Sequence, residues 1–295
     1  MCRTSTERGS VGRLLVVGAL AALVTVGATV GSTSAAFTAS TTAGATSSTR
    51  AACTGGTPSA TFMAAPAMLP TLWWRFGNLT GSTTVTDSSG HGNTGSIINA
   101  GLTFGAVNVG LVTCDATYAM RQPGAVTSTG FVATPAQRLA PSTLTIATWV
   151  RSTSLTGGRI VGFGDSASAG SVQQDRALFL DRTGRVVFQV RTTTGSLLLT
   201  SPTAITNNAV RLVVATLSGT SAALYVDGAR VASALVISPA PAYAGYWRAG
   251  WDQNAAAVIP TARNQATLRQ DELAIWEGRA LSDTDVTALW TSNHW

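Results

Sequence analysis

The chain has no lysine. All 19 of its basic residues are arginines, set against 13 acidic ones, and charged residues make up only 11% of 295. Lysine would serve as well as arginine on most solvated surfaces, so its absence points to coding bias rather than to function. The formal charge is +6. Residues 1–36 hold three arginines and one glutamate, which leaves +4 for the rest. The remaining arginines are scattered singly along the sequence. A nucleic-acid footprint needs a patch or stripe, so no nucleic-acid partner is expected. There are two histidines, His91 and His294, and no Cys-x-x-Cys pair, so zinc and haem sites have no support. There is no Gly-x-Ser-x-Gly, and His91 is followed by Gly-Asn in a turn. A catalytic histidine is held by a second group, whereas His91 reads as part of a solvated loop. With 45% hydrophobic residues the chain is far from a disordered composition and can bury a sizeable core.

The N-terminus has the charged, apolar, small order of an export leader. Arg3, Arg8 and Arg13 precede the apolar run Leu14 to Gly31, and Ser34-Ala-Ala36 supplies small residues for cleavage. Residues 1–36 are assigned as a signal peptide. Contact with a membrane is expected only if this segment stays uncleaved and acts as an anchor. There is no twin-arginine pair, and Cys2 lies before the apolar run, where a lipoprotein anchor does not fit. Residues 37–66 are rich in Ser, Thr and Ala and read as a linker, leaving 67–295 as the domain. Two cysteines follow the leader, Cys53 and Cys114. In an exported chain they are expected to form a disulfide.

From Leu72 onward the chain reads as short strands with turn punctuation. Leu72, Trp74 and Phe76 alternate with Trp73 and Arg75. Leu144, Ile146, Thr148 and Val150 alternate with Ala147 and Trp149. Asp181-Arg-Thr-Gly-Arg185 and Leu217-Ser-Gly-Thr-Ser221 separate pairs of apolar runs, and Asp227-Gly228 is the strongest hairpin signal of the chain. Many short strands without alternating helices predict an all-β fold, an antiparallel β-sandwich. One short C-terminal helix is predicted after Ser282 as N-cap, with Asp283 and Asp285 in its first turn and Val286, Leu289 and Trp290 as its apolar stripe.

Five segments in order resemble the laminin-G-like, or concanavalin A-like, jelly roll over residues 70–292. They are Trp74-Arg-Phe76, Asp87-Ser-Ser-Gly90, Thr143-Leu-Thr-Ile-Ala-Thr-Trp149, Leu224-Tyr-Val-Asp-Gly228, and Asp271-Glu272 with Ala280-Leu-Ser282. The resemblance implies a jelly-roll sandwich and, in most members, a binding module. The sequence departs at Val210-Arg211, where members commonly carry Trp-His, and at Gln270, where an Ile is usual. A polar residue at that second position suggests that the strand lies at a sheet edge. Ser34-Ala-Ala-Phe-Thr38 also resembles the leaders of bacterial surface and biofilm-matrix proteins.

Jelly-roll domains often hold calcium near the N-terminal loop and the last strand. Asp87 and Asp271 are the candidates for one structural Ca2+, which needs several oxygen ligands. The competing assignments are an Asx turn at Asp87 and an arginine ion pair at Asp271. Glucanases of this fold carry a Glu-x-Asp-x-x-Glu run, but the partner positions here are Leu273 and Ala274. Asp271 and Glu277 share a strand face, but six residues along a strand is roughly 20 Å, too far for the paired carboxyls of a retaining hydrolase. No catalytic residue is assigned.

The remaining signal is aromatic. Tyr246, Trp251, Asp252 and Asn254 are the candidate ligand-binding residues, because sugar rings stack on Trp and Tyr while Asp and Asn meet hydroxyls. Trp149, Trp247 and Trp276 are expected in the core. The function expected is non-catalytic binding of a glycan or of a cell-surface protein, by a secreted or surface-attached chain. The alternative is a structural component of a surface or biofilm matrix, which a long unpaired edge strand would favour.

Overall fold

The computed structural model describes residues 62–112, 117–253 and 264–292. The leader, Cys53, Cys114 and Asn254 lie outside the described residues, as does most of the Ser/Thr/Ala-rich segment. Two antiparallel sheets face each other. The first holds β1 (Leu72–Trp74), β4 (Met120–Pro123), β7 (Thr143–Arg151), β12 (Val210–Ser218), β13 (Ser221–Val226), β14 (Ala229–Leu235) and β16 (Thr267–Glu277). Its order is β1-β16-β7-β12-β13-β14, with β4 also paired to β16. The second sheet runs β11 (Gly195–Thr200), β10 (Val186–Thr192), β9 (Gln174–Leu180), β8 (Gly158–Gly164), β15 (Ala244–Gly250), β5 (Phe131–Ala133), β3 (Gly95–Ile98), β2 (Thr84–Val85). The short β6 (Arg138–Leu139) pairs with β15.

The alternation read in the sequence decides which side chains meet. Leu144, Ile146 and Val150 of β7 enter the main core between the sheets, with Leu273 and Ile275 of β16 and with Phe163, Leu178 and Trp247 of the other sheet. The opposite face of the first sheet is not bare. Ala147, Trp149, Leu212, Val214 and Trp276 form a second apolar layer there, closed by Val286 and Leu289 of the C-terminal helix (Asp283–Thr291). Trp290 of that helix stacks on Trp149 at 5.3 Å. Ser282 caps the helix in a reciprocal box with Asp285, and Tyr225 donates to Asp283 at 2.7 Å. Met63, assigned to the linker from composition, is 1% exposed and packs into this second layer.

The Asp227-Gly228 turn forms with φ of 53° and 81°, the backbone of a two-residue hairpin whose twist suits the flanking strands. Asp227 also accepts the Leu212 N–H at 3.0 Å and pairs with Arg211 at 2.5 Å.

The edge position expected of Gln270 is corrected by the fold. β16 lies inside the sheet, between β7 on one side and β1 and β4 on the other. The fully buried Gln270 amide is satisfied there: Gln122 Nε2 donates to it at 2.7 Å, and it donates to Thr148 Oγ1 at 3.2 Å. A buried polar group is tolerated when its hydrogen bonds are made.

Candidate functional site

The predicted ligand residues fall at the end of β15 and the turn after it. Tyr246, Arg248 and Gly250 alternate with Trp247, which is fully buried in the main core. They therefore point to the outer face of the second sheet. Tyr246 and Trp251 are half-buried. Trp251 stacks on Phe131 at 6.1 Å, and the Arg248 guanidinium lies 3.8 Å from the Phe131 ring centroid. The aromatic pair is thus held from behind by a cation.

Arg248 is itself 0% exposed. Its Nη1 donates to the carbonyls of Ser166 and Ala169, each at 2.7 Å, and to Ser171 Oγ at 2.9 Å, while Nη2 donates to the Trp251 carbonyl at 3.2 Å. These bonds fold the loop after β8 over the sheet. Asp252 does not face outward. It is fully buried, with Oδ2 3.1 Å from Arg159 Nη1 and 3.6 Å from Arg248 Nε. Its Oδ1 accepts the N–H groups of Ser171 and Gln253 at 2.8 and 2.9 Å. The sequence-based role of Asp252, meeting a ligand hydroxyl, is therefore corrected: it locks two arginines and a loop beneath the aromatic surface.

One carboxylate between two buried guanidinium groups leaves a net positive charge. Arg159 Nε and Nη2 and Arg248 Nε have no hydrogen-bond partner. Burial pushes the Arg248 guanidinium down to about 10, against the opposing pull of Asp252, and lowers Arg159 for the same reason. Gly162, between Arg159 and Phe163, makes this packing possible, since a Cβ there would sit 2.8 Å from Arg159 Nη2. Neither arginine was singled out in the sequence. The signal available was a lone arginine inside the apolar runs Gly158-Arg-Ile-Val-Gly-Phe-Gly164 and Gly245-Tyr-Trp-Arg-Ala-Gly250.

The two calcium candidates are held by different groups. Asp87 Oδ1 accepts the N–H groups of Trp73 and Ser89, both at 3.0 Å. Its Oδ2 accepts from Ser89 Oγ and from the Asn93 N–H, both at 2.8 Å. A carboxylate has about four lone-pair sites, and here all four are used, in the Asx-turn manner. Burial pushes the Asp87 carboxyl up, but the hydrogen bonds from Ser89, Trp73 and Asn93 outweigh it and hold it below its ordinary value. Asp271 is fully buried; Oδ2 accepts the Leu111 N–H at 2.7 Å and Oδ1 the Glu272 N–H at 3.0 Å. Among the described residues no group of three His, Cys, Asp or Glu side chains is placed to hold a metal. Asp87 and Asp271 do not fit a shared calcium site, because their oxygens already serve N–H and O–H donors.

Glu272 accepts from Trp73 Nε1 and, at 2.9 Å, from Arg75 Nε. Glu277 accepts from Trp247 Nε1 at 2.7 Å and from Arg138 at 3.2 Å. The shared face expected for Asp271 and Glu277 is also corrected. A bulge between Asp271 and Ala274 shifts the register, so Asp271 lies opposite Trp149 of the second layer and Glu277 opposite Leu144 of the main core.

Other proteins share this architecture. The binding domain of botulinum neurotoxin DC, solved in complex with SialylT, superposes with a TM-score of 0.51 at 13% identity, over 76% of this chain and 51% of that one. The Trypanosoma rangeli sialidase solved with sialic acid gives a TM-score of 0.51 at 12% identity, over 75% of this chain and 32% of that one. This chain thus spans about half the length of the first and a third of the second. No curated protein matches in sequence. Residues 126–287, more than half of the chain, match the sequence profile of the concanavalin A-like lectin/glucanases superfamily, and the chain belongs to that family.

Proposed function

We propose that this chain is a non-catalytic extracellular module that binds a carbohydrate through the aromatic surface of Tyr246 and Trp251. The observation that carries the reading is the backing of Trp251. A half-exposed indole, stacked on Phe131 and fixed by the buried Arg248, offers a sugar ring a rigid face at low entropic cost. Membership of a lectin-containing superfamily supports it. The carboxylates of β16 support the non-catalytic half: Asp271, Glu272 and Glu277 each accept hydrogen bonds from backbone or side chains.

A glycan array probed with the full chain tests the reading. Binding should be lost in Trp251→Ala and weakened in Tyr246→Phe, with the melting temperature of the latter unchanged. A blank array, or binding that survives Trp251→Ala, would remove this surface from consideration. Turnover of a β-glucan, abolished by Glu272→Gln or Glu277→Gln, would replace it with a hydrolase.

One observation favours assembly as a second reading. β14 is an outermost strand of the first sheet, and apolar side chains are exposed at and beyond its end, Leu235 at 74% and Ile237 at 93%. Such an edge can pair with another chain. Self-association that disappears with Leu235→Lys, measured by light scattering, would support this second role.

A further inference from the structure

On the opposite sheet, strand register brings together arginines that are far apart in sequence. Arg269 of β16 lies directly opposite Arg121 of β4 on one side and Arg151 of β7 on the other. Directly opposed residues project from the same face. Leu268, beside Arg269, enters the main core, so the three arginines line up on the outer face. Arg121 is exposed and the other two are half-buried. With strands about 4.8 Å apart, the row spans roughly 10 Å. The arginines that looked singly scattered in the sequence therefore form a cluster in the fold.

Like charges directly opposed destabilise a sheet, and several other arginines of this protein are neutralised. Arg75, Arg138, Arg211, Arg230 and Arg279 each pair with a carboxylate. Among the described residues no carboxylate pairs with Arg121, Arg151 or Arg269. Asp271, the next outward position on β16, spends its oxygens on the Leu111 and Glu272 N–H groups. Arg151 is oriented rather than neutralised: its Nε donates to the Asn208 carbonyl at 2.9 Å and to Asn208 Oδ1 at 3.0 Å. The three arginines line an open cavity of about 260 Å³ with Ser152, Thr153 and Asn208.

We propose that this arginine row binds the acidic groups, sulfate or carboxylate, of an anionic polysaccharide. The planar guanidinium fork matches such oxyanions with paired, charge-assisted hydrogen bonds. The cavity is smaller than the roughly 300–1,000 Å³ of pockets that enclose a small molecule. It admits a charged substituent while the polymer continues across the surface. A nucleic-acid backbone needs a longer stripe of charge, whereas this row stops after three residues, with Val210 opposite Arg151 at one end and Thr103 opposite Arg121 at the other. The site stands on different residues and a different sheet from the Trp251 surface.

The test is a titration of the full chain with dextran sulfate and with polygalacturonate, alongside uncharged dextran and duplex DNA, at low and high salt. One or both acidic polymers should bind at low salt and release at high salt, and the two arms identify sulfate or carboxylate as the group recognised. Arg121→Gln/Arg151→Gln/Arg269→Gln should weaken binding at least about tenfold. Arg182→Gln/Arg185→Gln/Arg230→Gln, which removes equal charge elsewhere, should change it less than about twofold. Trp251→Ala should leave it intact, which separates this site from the proposed glycan surface. Absence of binding to either acidic polymer would overturn the proposal. So would equal loss in the charge control, or DNA bound as tightly through the same three residues. The triple variant should melt no lower than the native chain, because repulsion is relieved. If it fails to fold, Arg269→Gln alone decides: at least about a threefold loss is expected of the middle residue, and unchanged binding refutes the site.

Discussion

Asp175 and Asp271 hold matching positions in the two sheets. Each precedes a non-glycine residue at φ 47°, Arg176 and Glu272, and each accepts that residue's N–H through Oδ1, at 2.6 and 3.0 Å. In both places the strand advances three residues while its neighbour advances two: Asp175 to Leu178 against Val161 to Phe163, and Asp271 to Ala274 against Ala147 to Trp149. A left-handed backbone at a bulky residue costs on the order of 1–3 kcal/mol. The short-range carboxylate bond offsets that cost and fixes where the strand bends.

Asp271→Ala should therefore destabilise the fold by about 3 kcal/mol, through loss of the bonds to the Leu111 and Glu272 N–H groups. Asp271→Asn, which keeps an acceptor for Glu272, should lose less. Urea unfolding should give the same difference with calcium and with a chelator. A destabilisation seen only in calcium would return the residue to the role of metal ligand.

Asp87 predicts acid sensitivity. Its folded pKa is depressed, so its stabilisation is complete above the unfolded value, about pH 4, and is lost as pH falls through the lower folded value. Asp87→Asn should lower the melting temperature at pH 7. Melting curves of the two proteins should converge below pH 4. A constant difference down to the lowest pH would show that the carboxylate charge plays no part.

The buried cluster beneath Trp251 predicts an asymmetry. Asp252→Asn leaves two buried guanidinium groups without a counter-charge and should cost about 3–5 kcal/mol. Arg159→Leu leaves one arginine with one carboxylate and removes two nitrogens that lack hydrogen bonds, so it should cost about 2 kcal/mol or less. Denaturant midpoints of the two variants measure the difference. Equal losses would mean that the second guanidinium is not an electrostatic burden.

Gly228→Ala should cost on the order of 1–2 kcal/mol. The position has φ of +81°, and the new Cβ would sit 2.9 Å from Trp290 Cβ. The indole stack of Trp290 on Trp149 should be disturbed with it, visible in near-ultraviolet circular dichroism. An unchanged spectrum and melting temperature would show that the hairpin adjusts freely.

Local signals were legible in the sequence wherever neighbours in the chain decide the outcome. Asp227-Gly228 needs only its own backbone to make a hairpin, and Ser282 needs only Asp285 to cap the helix. The apolar alternation of β7 likewise predicted its two faces. What could not be read depends on partners remote in sequence. Gln270 looked like an edge residue because Gln122, which satisfies it, lies 148 positions away. Glu272 gave no sign of a bulge, since glutamate has no preference for positive φ. The paired bonds at Asp252 and the arginine row rest on strand register, which periodicity alone does not supply. The candidate aromatic surface was half legible: the sequence placed Tyr246 and Trp251, but not the cation that fixes Trp251.

Among the described strands β16 comes last in the chain and yet lies inside its sheet. Until residues 267–277 are present, β7 lacks one neighbour and β1 and β4 lack the strand they pair with. The first sheet therefore cannot zip from one end as the polypeptide lengthens. Its pairing of Leu72 with Ile275 closes a loop of two hundred residues, the kind of non-local contact that slows folding. The first sheet therefore waits for residues 267–277, and a chain cut before Thr267 would keep the β7-β12-β13-β14 ribbon but leave β1 and β4 without the strand that joins them to it.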